Sequence, residues 1–436
     1  MAKKNLATAQ TVQSMLRSNC VFIEVDGAVR RISLDNLMNA INEGNEELLR
    51  EVAWGVPLKQ ATQSSPAWGR VGNLDMWAQY KALTGRYLVK NNGKAAKLSV
   101  SNSGVYADGT TLDESIGHVM VHAPRLYYLV KIDAVTNIPT LWMSMLPIGG
   151  HYIGAITLGA YLGSVQSSAL VSRSGVVPTG NKTINQFWTA AQVNGAKWGL
   201  MNYDHQRWLM MMALSEYGNP NIQAMLGNGI TGSNDGGGDW QTPLTWAVGE
   251  TKSLGDGFGK VDKSWTASGG TAVQNACHVS VLGIEDPYAL MWQMLQGIYC
   301  GNSGNEDQDG TEVFIYQGNR MPSAAELAAH PAGDYRELTR PTSSNYISRE
   351  TLGEFFDLIP SSLSGGGSTS YWCDYFWGNS TGQLVLLGGH ADFGASCGLA
   401  FLVSVDAFSD SDAHIGSRLA YYGEIEIING HDMATA

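Results

Sequence analysis

The chain has 436 residues, of which 44% are apolar and only 15% charged, so it is long enough for two or three domains and can fill a sizeable core. Its formal net charge is −12, and no basic block occurs anywhere. This excludes a protein that binds a nucleic-acid backbone, because neutralising phosphates requires clustered Lys and Arg. The 52 glycines and 13 tryptophans are typical of a loop-rich fold with large aromatic anchors.

Neither a secretion signal nor a membrane-spanning segment is predicted. The first four residues are basic, but residues 5–18 that follow contain no apolar stretch of the kind a signal peptide needs. Residues 141–163 are the most apolar segment, and Pro147, His151 and several glycines interrupt them, which indicates sheet and turns. The five cysteines are scattered and match neither a disulfide framework nor a zinc motif, so we expect buried, reduced thiols.

Residues 1–53 are predicted to form a small N-terminal module. Residues 21–25 and 29–32 read as a hairpin around Asp26-Gly27, a pair that accepts the positive φ angles of a tight turn. Ser33 is a candidate N-cap for a helix running towards Gly44. The apolar face of that helix consists of Leu34, Leu37, Met38 and Ile41. An attachment or oligomer interface and ordinary packing within the chain explain this face equally well.

Residues 54–146 are predicted to form a β-rich connector. Short apolar or β-branched runs alternate there with Asn, Gly, Asp and Pro. The predicted strands are residues 87–89, 97–100, 118–122 and 127–132. His118 and His122 share one face of a strand, but no third ligand is evident, so no metal site is predicted there.

Residues 147–436 combine helix and sheet signals. Thr183 and Gln186 have the spacing of a capping box, and the helix that they begin should end near Gly195. A second helix is predicted from about Asp204 to a C-cap at Gly218, with its methionine run in the core. The whole chain is therefore predicted to be α+β.

The order of motifs in residues 147–436 resembles that of C-type-lectin-like domains of the formylglycine-generating-enzyme type. Four segments follow in that family's order: residues 150–155, 168–175, 183–192 and 202–218. Residues 283–293 are similar to the family's G-x-E-x-x-x-G-N-x-W-x-W stretch, and Trp292 keeps its aromatic anchor. Ala289, Leu290 and Met294 depart from it. The resemblance implies irregular loops lying over a rigid sheet and presenting side chains on one face.

The end of the chain resembles the variable region of proteins diversified by retroelements, among them phage tail receptor-binding proteins. The matching segments are residues 386–389, 394–399 and 413–419. Gly416 and Arg418 fit the family's N-I-G-x-R ending, with His414 in place of Asn. Residues 70–73 and 117–121 are also similar to phage and prophage tail proteins.

The composition of this region favours the same interpretation. Substitution of adenines in asparagine codons cannot produce Lys, Glu, Gln, Met or Trp, and none of these occurs between Leu386 and Ser417. Short segments often lack a few residue types, so a lectin-like surface that never varies is the alternative. The predicted scaffold residues are small or apolar: Gly388, Gly389, Gly394, Cys397, Gly398, Leu399, Ala407 and Ile415.

The ligand-binding surface is predicted within about residues 371–418. Its members are aromatic anchors, acidic residues, histidines and positions expected to vary: Asp374, Tyr375, Phe376, Trp377, His390, Asp392, Phe393, Ser396, Phe401, Val403, Val405, Asp406, Asp410, Asp412 and His414. About half of the rings in residues 371–377 are expected in the core. Asp406, Asp410 and Asp412 suggest calcium, but their spacing matches no calcium loop, so solvated carboxylates are favoured and no metal or cofactor is predicted.

No catalytic residue is predicted. The closely spaced cysteine pair of the generating enzymes is not carried over, and no Gly-x-Ser-x-Gly elbow, phosphate loop or His-Glu-x-x-His helix occurs. The resemblance therefore implies a non-enzymatic adhesin at the tail tip of a phage or prophage, made in the host cytoplasm.

The expected partners are a protein or glycan on the bacterial surface and, through the N-terminal module, other tail proteins. A homo-oligomer is expected, a trimer by family likeness, without nucleic-acid binding or membrane insertion. Two alternatives stay open. The first is a diversified bacterial cell-surface protein, which the missing signal peptide disfavours. The second is a glycan-cleaving tail enzyme, since 39 acidic residues leave room for a suitable pair of carboxylates.

Overall fold

The computed structural model describes residues 20–25, 28–33, 36–39, 46–231, 241–266, 272–316, 319–323, 325–326 and 335–435. Its helices include α1 (Glu46–Val52), α2 (Leu74–Leu83), α3 (Ile184–Gln192), α4 (Tyr203–Tyr217) and α5 (Ile222–Leu226).

The strands of the first half are β1 (Cys20–Val25), β2 (Ala28–Ser33), β3 (Trp54–Pro57), β4 (Val71–Gly72), β5 (Gly85–Val89), β6 (Lys94–Ser99), β7 (Asn102–Tyr106), β8 (His118–Ala123), β9 (Leu126–Ile132), β10 (Pro139–Ser144), β11 (His151–Ile153), β12 (Ile156–Gly159), β13 (Ser164–Gln166), β14 (Ala169–Val171) and β15 (Trp198–Leu200). Those of the second half are β16 (Gly259–Thr266), β17 (Ala272–Val281), β18 (Ile284–Glu285), β19 (Trp292–Cys300), β20 (Glu312–Tyr316), β21 (Tyr335–Thr339), β22 (Asn345–Tyr346), β23 (Arg349–Leu352), β24 (Asp357–Ser362), β25 (Tyr375–Gly378), β26 (Leu384–Leu387), β27 (Leu402–Asp406), β28 (Ile415–Gly416), β29 (Leu419–Tyr421) and β30 (Glu426–Ile427).

Three large sheets organise these strands. Sheet A has the order β11-β9-β10-β3-β4. Sheet B has the order β15-β29-β12-β8-β5-β6-β30, with β7 paired to β6. Sheet C has the order β21-β20-β19-β26-β27-β25-β22, with β28 paired to β19. The protein is therefore a mixed α+β fold, as the sequence predicts.

The boundary predicted between residues 146 and 147 does not separate two folded units. Strand β11 follows that point in the chain, yet it pairs with β9 of the predicted connector. Strand β12 likewise pairs with β8 in sheet B. Both sheets A and B therefore combine strands from the two sides of this boundary.

Sheet B also joins the two ends of the segment 156–421. Strand β29 lies between β12 and β15 and is antiparallel to both. The long excursion of the chain between Gly159 and Leu419, which contains α3, α4 and sheet C, therefore begins and ends side by side.

The two predicted helices of this excursion are confirmed. Thr183 accepts from the backbone N–H of Gln186, whose side chain accepts from the N–H of Thr183 in return. Helix α4 ends at Gly218, which adopts φ 58° in the left-handed region. It is buried almost all round, and its run 209–212 is fully buried, so those methionines fill the core as predicted.

The predicted N-terminal hairpin and the helix cap at Ser33 are confirmed. Strands β1 and β2 pair antiparallel, with Val25 opposite Ala28, while the turn residues Asp26 and Gly27 lie outside the described residues. Ser33 Oγ accepts from the N–H of Asn36 at 3.2 Å, as an N-cap should. Leu37 is buried, and Met38 is half-buried. The predicted helix residues Leu34, Ile41 and Gly44 lie outside the described residues.

Four cysteine side chains are buried and unpaired in disulfides, as expected: Cys277, Cys300, Cys373 and Cys397. Within the described ranges, no helix has the length and apolar character needed to cross a lipid bilayer.

Candidate functional site

Three of the four predicted binding residues of the segment 371–377 lie on β25, the second strand from one end of sheet C. Strand β25 runs parallel to β27, with Trp377 beside Val403. Side chains alternate along a strand, so Tyr375 and Trp377 share one face while Phe376 points to the other. Phe376 is buried, Tyr375 is half-buried and 42% of Trp377 is exposed. As expected, about half of the rings in this segment are core.

A 3₁₀ turn (Ala391–Ser396) lies against this face. His390 is its N-cap, with Nδ1 accepting from the N–H of Asp392 at 3.4 Å. Phe393 projects from the turn into an aromatic group. Its ring centroid lies 5.4 Å from that of Trp292, 5.8 Å from that of Trp377, 5.4 Å from that of Phe401 and 4.8 Å from that of His390.

The strand and the turn enclose an open cleft of about 220 Å³, the aromatic cleft, lined by Tyr375, Trp377, Phe393 and Ser396. Ser396 Oγ lies 3.1 Å from the hydroxyl of Tyr346, which is on the neighbouring strand β22. Exposed rings beside a hydroxyl pair can stack on a planar or apolar face of a ligand and hydrogen-bond to its polar edge. All four lining residues are predicted from the sequence. Tyr346 is not, because β22 has only two residues and gives no periodic signal.

Four predicted ligand contacts are corrected by their burial: Asp374, Phe376, Phe401 and Val403 are at most 3% exposed. Phe376 is in the core because of strand alternation, whereas Phe401 and Val403 belong to a buried hydrophobic cluster against which Phe393 packs. Asp374 has a structural partner, since its Oδ2 accepts from the N–H of Ala400 at 2.7 Å. Burial raises the pKa of Asp374 well above its usual range. These side chains support the cleft and do not reach solvent.

The remaining predicted residues fall into two groups. Beside the cleft, Asp392 is exposed and His414 is half-buried. His390 is buried, so its predicted ligand contact is corrected as well, and its ring centroid lies 4.5 Å from that of His414.

At the other end of β27, Val405, Asp406, Asp410 and Asp412 are half-buried. Burial, and then the charges of Asp410 and Asp412, raise the pKa of Asp406 to about 6. Asp410 Oδ2 accepts from the N–H of Ala407 at 2.8 Å. The predicted surface is therefore an aromatic cleft and a separate acidic loop.

The two motifs that carry the family resemblance meet in the interior. Arg418 is fully buried, and its guanidinium donates to five oxygens. They are Gln293 Oε1 at 2.8 Å and the carbonyls of Gly159 at 2.9 Å, Ala160 at 3.1 Å, Glu285 at 2.7 Å and Asp286 at 3.2 Å. Strand β28 also pairs in parallel with β19, with Ile415 beside Trp292. Arg418 thus ties the end of the variable region to the stretch 283–293 and to β12.

Three buried side chains of metal-ligating type, His278, Glu285 and Asp286, place ligand atoms within 4.8 Å of one another. Their carboxylates already have protein partners. Asp286 Oδ2 lies 2.7 Å from His278 Nδ1, and Glu285 accepts from the N–H groups of Gly249 and Thr251, both at 2.7 Å. Although burial opposes it, the Asp286 carboxylate raises the pKa of His278 above its ordinary value. The group is best described as a buried polar network.

His118 and His122 lie on β8 and have separate partners. His118 Nε2 lies 2.9 Å from Asn91 Oδ1, and His122 Nδ1 lies 2.9 Å from Thr157 Oγ1. Burial lowers the pKa of His118 to about 3 and that of His122 to about 4, so both are neutral near pH 7.

No protein-family model matches this chain, and no curated protein sequence is significantly similar to it.

Proposed function

We propose that the chain is a receptor-binding protein of a phage or prophage tail tip, and that it binds a bacterial surface ligand through the aromatic cleft of a C-type-lectin-like domain. One observation carries the proposal: Tyr375, Trp377, Phe393 and Ser396, all predicted as ligand contacts from the sequence, line one open cleft. Exposed aromatic residues of this kind supply much of the binding energy in recognition surfaces.

The topology supports a lectin-like domain within residues 147–436. The chain excursion between β12 and β29 is closed at its base by the pairing of those strands and by Arg418. The aromatic cleft is formed by strand β25 and an irregular turn, both of which belong to this excursion. Such an arrangement lets exposed side chains change while the scaffold keeps its shape.

The contrast between predicted variable and scaffold positions supports diversification of this surface. Asp392 is exposed, and Phe393 and Ser396 are half-buried at the cleft, so other side chains fit there. A Cβ atom at Gly389 would lie 2.4 Å from Cys397 Sγ, and one at Gly416 would lie 2.6 Å from Met291 Sδ. Gly389 also has φ 85°, which disfavours any other residue, and a side chain at Gly416 would require Met291 to move, so both scaffold positions are more constrained than the cleft positions.

Sequencing the gene and its flanks across independent isolates tests diversification. We expect substitutions to concentrate at Asp392, Phe393 and Ser396, with Gly389 and Gly416 unchanged. A nearby template copy with asparagine codons at the varied positions should accompany them. Variation spread evenly along the chain would contradict the proposal and leave an invariant lectin-like surface.

The binding role is tested with Trp377→Ala. A Trp side chain buries up to about 250 Å². Since 42% of Trp377 is exposed, a ligand that covers this part removes about 100 Å² of surface from water. That burial contributes about 2.5 kcal/mol to the binding free energy, so Trp377→Ala should weaken binding roughly 70-fold. The matched control is Tyr152→Ala, which removes another exposed aromatic side chain outside the cleft.

The assay measures adsorption of purified protein to cells of the bacterial strain from which the phage or prophage was isolated. Equal binding by wild type and Trp377→Ala would refute the role of the cleft. The same incubations separate the alternatives. Release of reducing ends from purified host polysaccharide would identify a glycan-cleaving enzyme, and recovery of the native protein in the bacterial envelope fraction would identify a cell-surface protein.

A further inference from the structure

A second cleft, of about 510 Å³, opens on sheet B, whereas the aromatic cleft lies on sheet C. Three segments form its walls: the turn between β5 and β6 at residues 90–92, residues 115–118 leading into β8, and the hairpin of β13 and β14. The volume lies within the range of small-molecule binding sites. We call this the polar cleft.

The polar cleft is cationic although the chain as a whole is acidic. Lys90 and Arg173 line it, and none of the described lining residues is a carboxylate. Lys90 Nζ donates to the carbonyl of Met433 at 3.1 Å. Arg173 is fixed by two backbone carbonyls, with Nε donating to Gly117 and Nη2 to Ser115, both at 2.9 Å. Both cations thus donate to backbone carbonyls along the cleft.

The effect of burial on the pKa of Arg173 outweighs that of its two nearest acids. Burial lowers the pKa of Arg173, while Glu114 and Asp113 raise it to a smaller extent. Glu114 is itself engaged, because its carboxylate accepts from the N–H and hydroxyl of Ser174 at 2.5 Å and 2.6 Å. A partly dehydrated guanidinium of this kind is stabilised by an incoming anion.

The rest of the lining offers amide and hydroxyl groups. Asn92, Gln166 and Ser167 are exposed at the mouth of the cleft. Ser167 and Ser168 have φ angles of 46° and 72°, in the left-handed region where a two-residue hairpin turn ordinarily uses Asn or Gly. Each such residue costs about 1 kcal/mol. The turn therefore places a hydroxyl at the edge of the cleft at some cost in strain.

We propose that the polar cleft is a separate binding site for a saccharide that carries an anionic group, either a sugar-acid carboxylate or a sulfate ester. Lys90 and Arg173 take the anionic group. Asn92, Gln166 and Ser167 form hydrogen bonds to ring hydroxyls. This site does not depend on the aromatic cleft or on its proposed function.

Calorimetric titration of the full chain tests the site with three hexasaccharides: hyaluronan for the carboxylate, a heparin fragment for the sulfate ester and maltohexaose as the neutral reference. We expect at least one acidic probe to bind with a Kd of about 0.1–1 mM, at least about tenfold more tightly than maltohexaose. The acidic probe that binds identifies the source of the charge. Raising the salt concentration should weaken that binding.

Variants locate the site. Lys90→Gln should weaken binding of the acidic probe about fivefold, and Lys90→Gln with Arg173→Gln more than about tenfold. Lys182→Gln is the matched control, because it makes the same charge change outside the lining. Gln166→Ala leaves all charges in place and should weaken the acidic and neutral probes alike. Trp377→Ala should leave acidic-saccharide binding unchanged, which separates this site from the aromatic cleft.

The proposal is overturned if neither acidic probe binds with a Kd below about 10 mM or if maltohexaose binds as tightly as the acidic probes. It is also overturned if Lys182→Gln weakens binding of the acidic probe as much as Lys90→Gln does. Because Arg173 also holds residues 115–117, the single variant Lys90→Gln must show its effect with an unchanged thermal midpoint.

Discussion

Replacement of Arg418 by Met tests whether the buried guanidinium holds the domain together. The substitution keeps most of the side-chain volume but leaves five buried oxygens without their donor. Burial lowers the pKa of Arg418 to about 10, so the side chain is still charged at neutral pH. Each orphaned acceptor costs about 1–3 kcal/mol, partly offset because the cation no longer has to be dehydrated. We expect a net loss of about 4 kcal/mol in the free energy of unfolding.

Equilibrium urea unfolding, followed by tryptophan fluorescence, measures this loss as a lower midpoint with an unchanged slope. Arg418→Lys keeps the charge but offers three donors, and should lose about 2 kcal/mol. Arg349→Met is the control, because Arg349 is exposed, and it should change stability by less than about 0.5 kcal/mol. A loss below about 1 kcal/mol for Arg418→Met would refute the role assigned to this residue.

Two further predictions concern stability. The pKa of Asp406 is about 6 in the folded protein and near 3.8 in the unfolded chain. The contribution of Asp406 to the free energy of unfolding is therefore fully present below pH 3.8 and is lost as the pH rises through 6. Asp406→Asn should therefore be more stable than wild type by about 3 kcal/mol at pH 7.5 and within about 0.5 kcal/mol of it near pH 4, as measured by urea unfolding at each pH; a pH-independent difference would contradict this. Gly389 has φ 85° and lies beside Cys397, so Gly389→Ala should lower the free energy of unfolding by more than about 2 kcal/mol. Asp392 lies three residues away and is exposed, so Asp392→Ala should change it by less than about 0.5 kcal/mol. Equal thermal midpoints for these two variants would contradict the division between scaffold and variable positions.

Local signals in the sequence predict local structure well in this chain. The capping box at Thr183 and the glycine stop at Gly218 each depend on residues within one helix, and both are confirmed. Pairing between distant strands has no such signal. The contacts of β11 with β9 and of β12 with β8 cross the boundary at residue 146 that a change in composition predicts, and no local signal marks these pairings.

The candidate site shows the same limit. Residue type identifies Tyr375, Trp377, Phe393 and Ser396, which line the cleft, but equally selects Phe376 and Phe401, which are buried. The difference arises from strand alternation and from the position of the turn Ala391–Ser396, which fixes what lies above Phe401. Neither the alternation of β25 nor the position of the turn can be predicted from one sequence before the register of β25 against β27 is known.

The pairing of β29 with β12 and β15 has a mechanical consequence. When tension is applied between residues flanking β12 and β29, the load passes through the hydrogen bonds that join these strands. The loop between them, which includes the aromatic cleft, lies outside the path of the force. Under tension of this kind the cleft therefore keeps its shape until the hydrogen bonds between β12, β29 and β15 break.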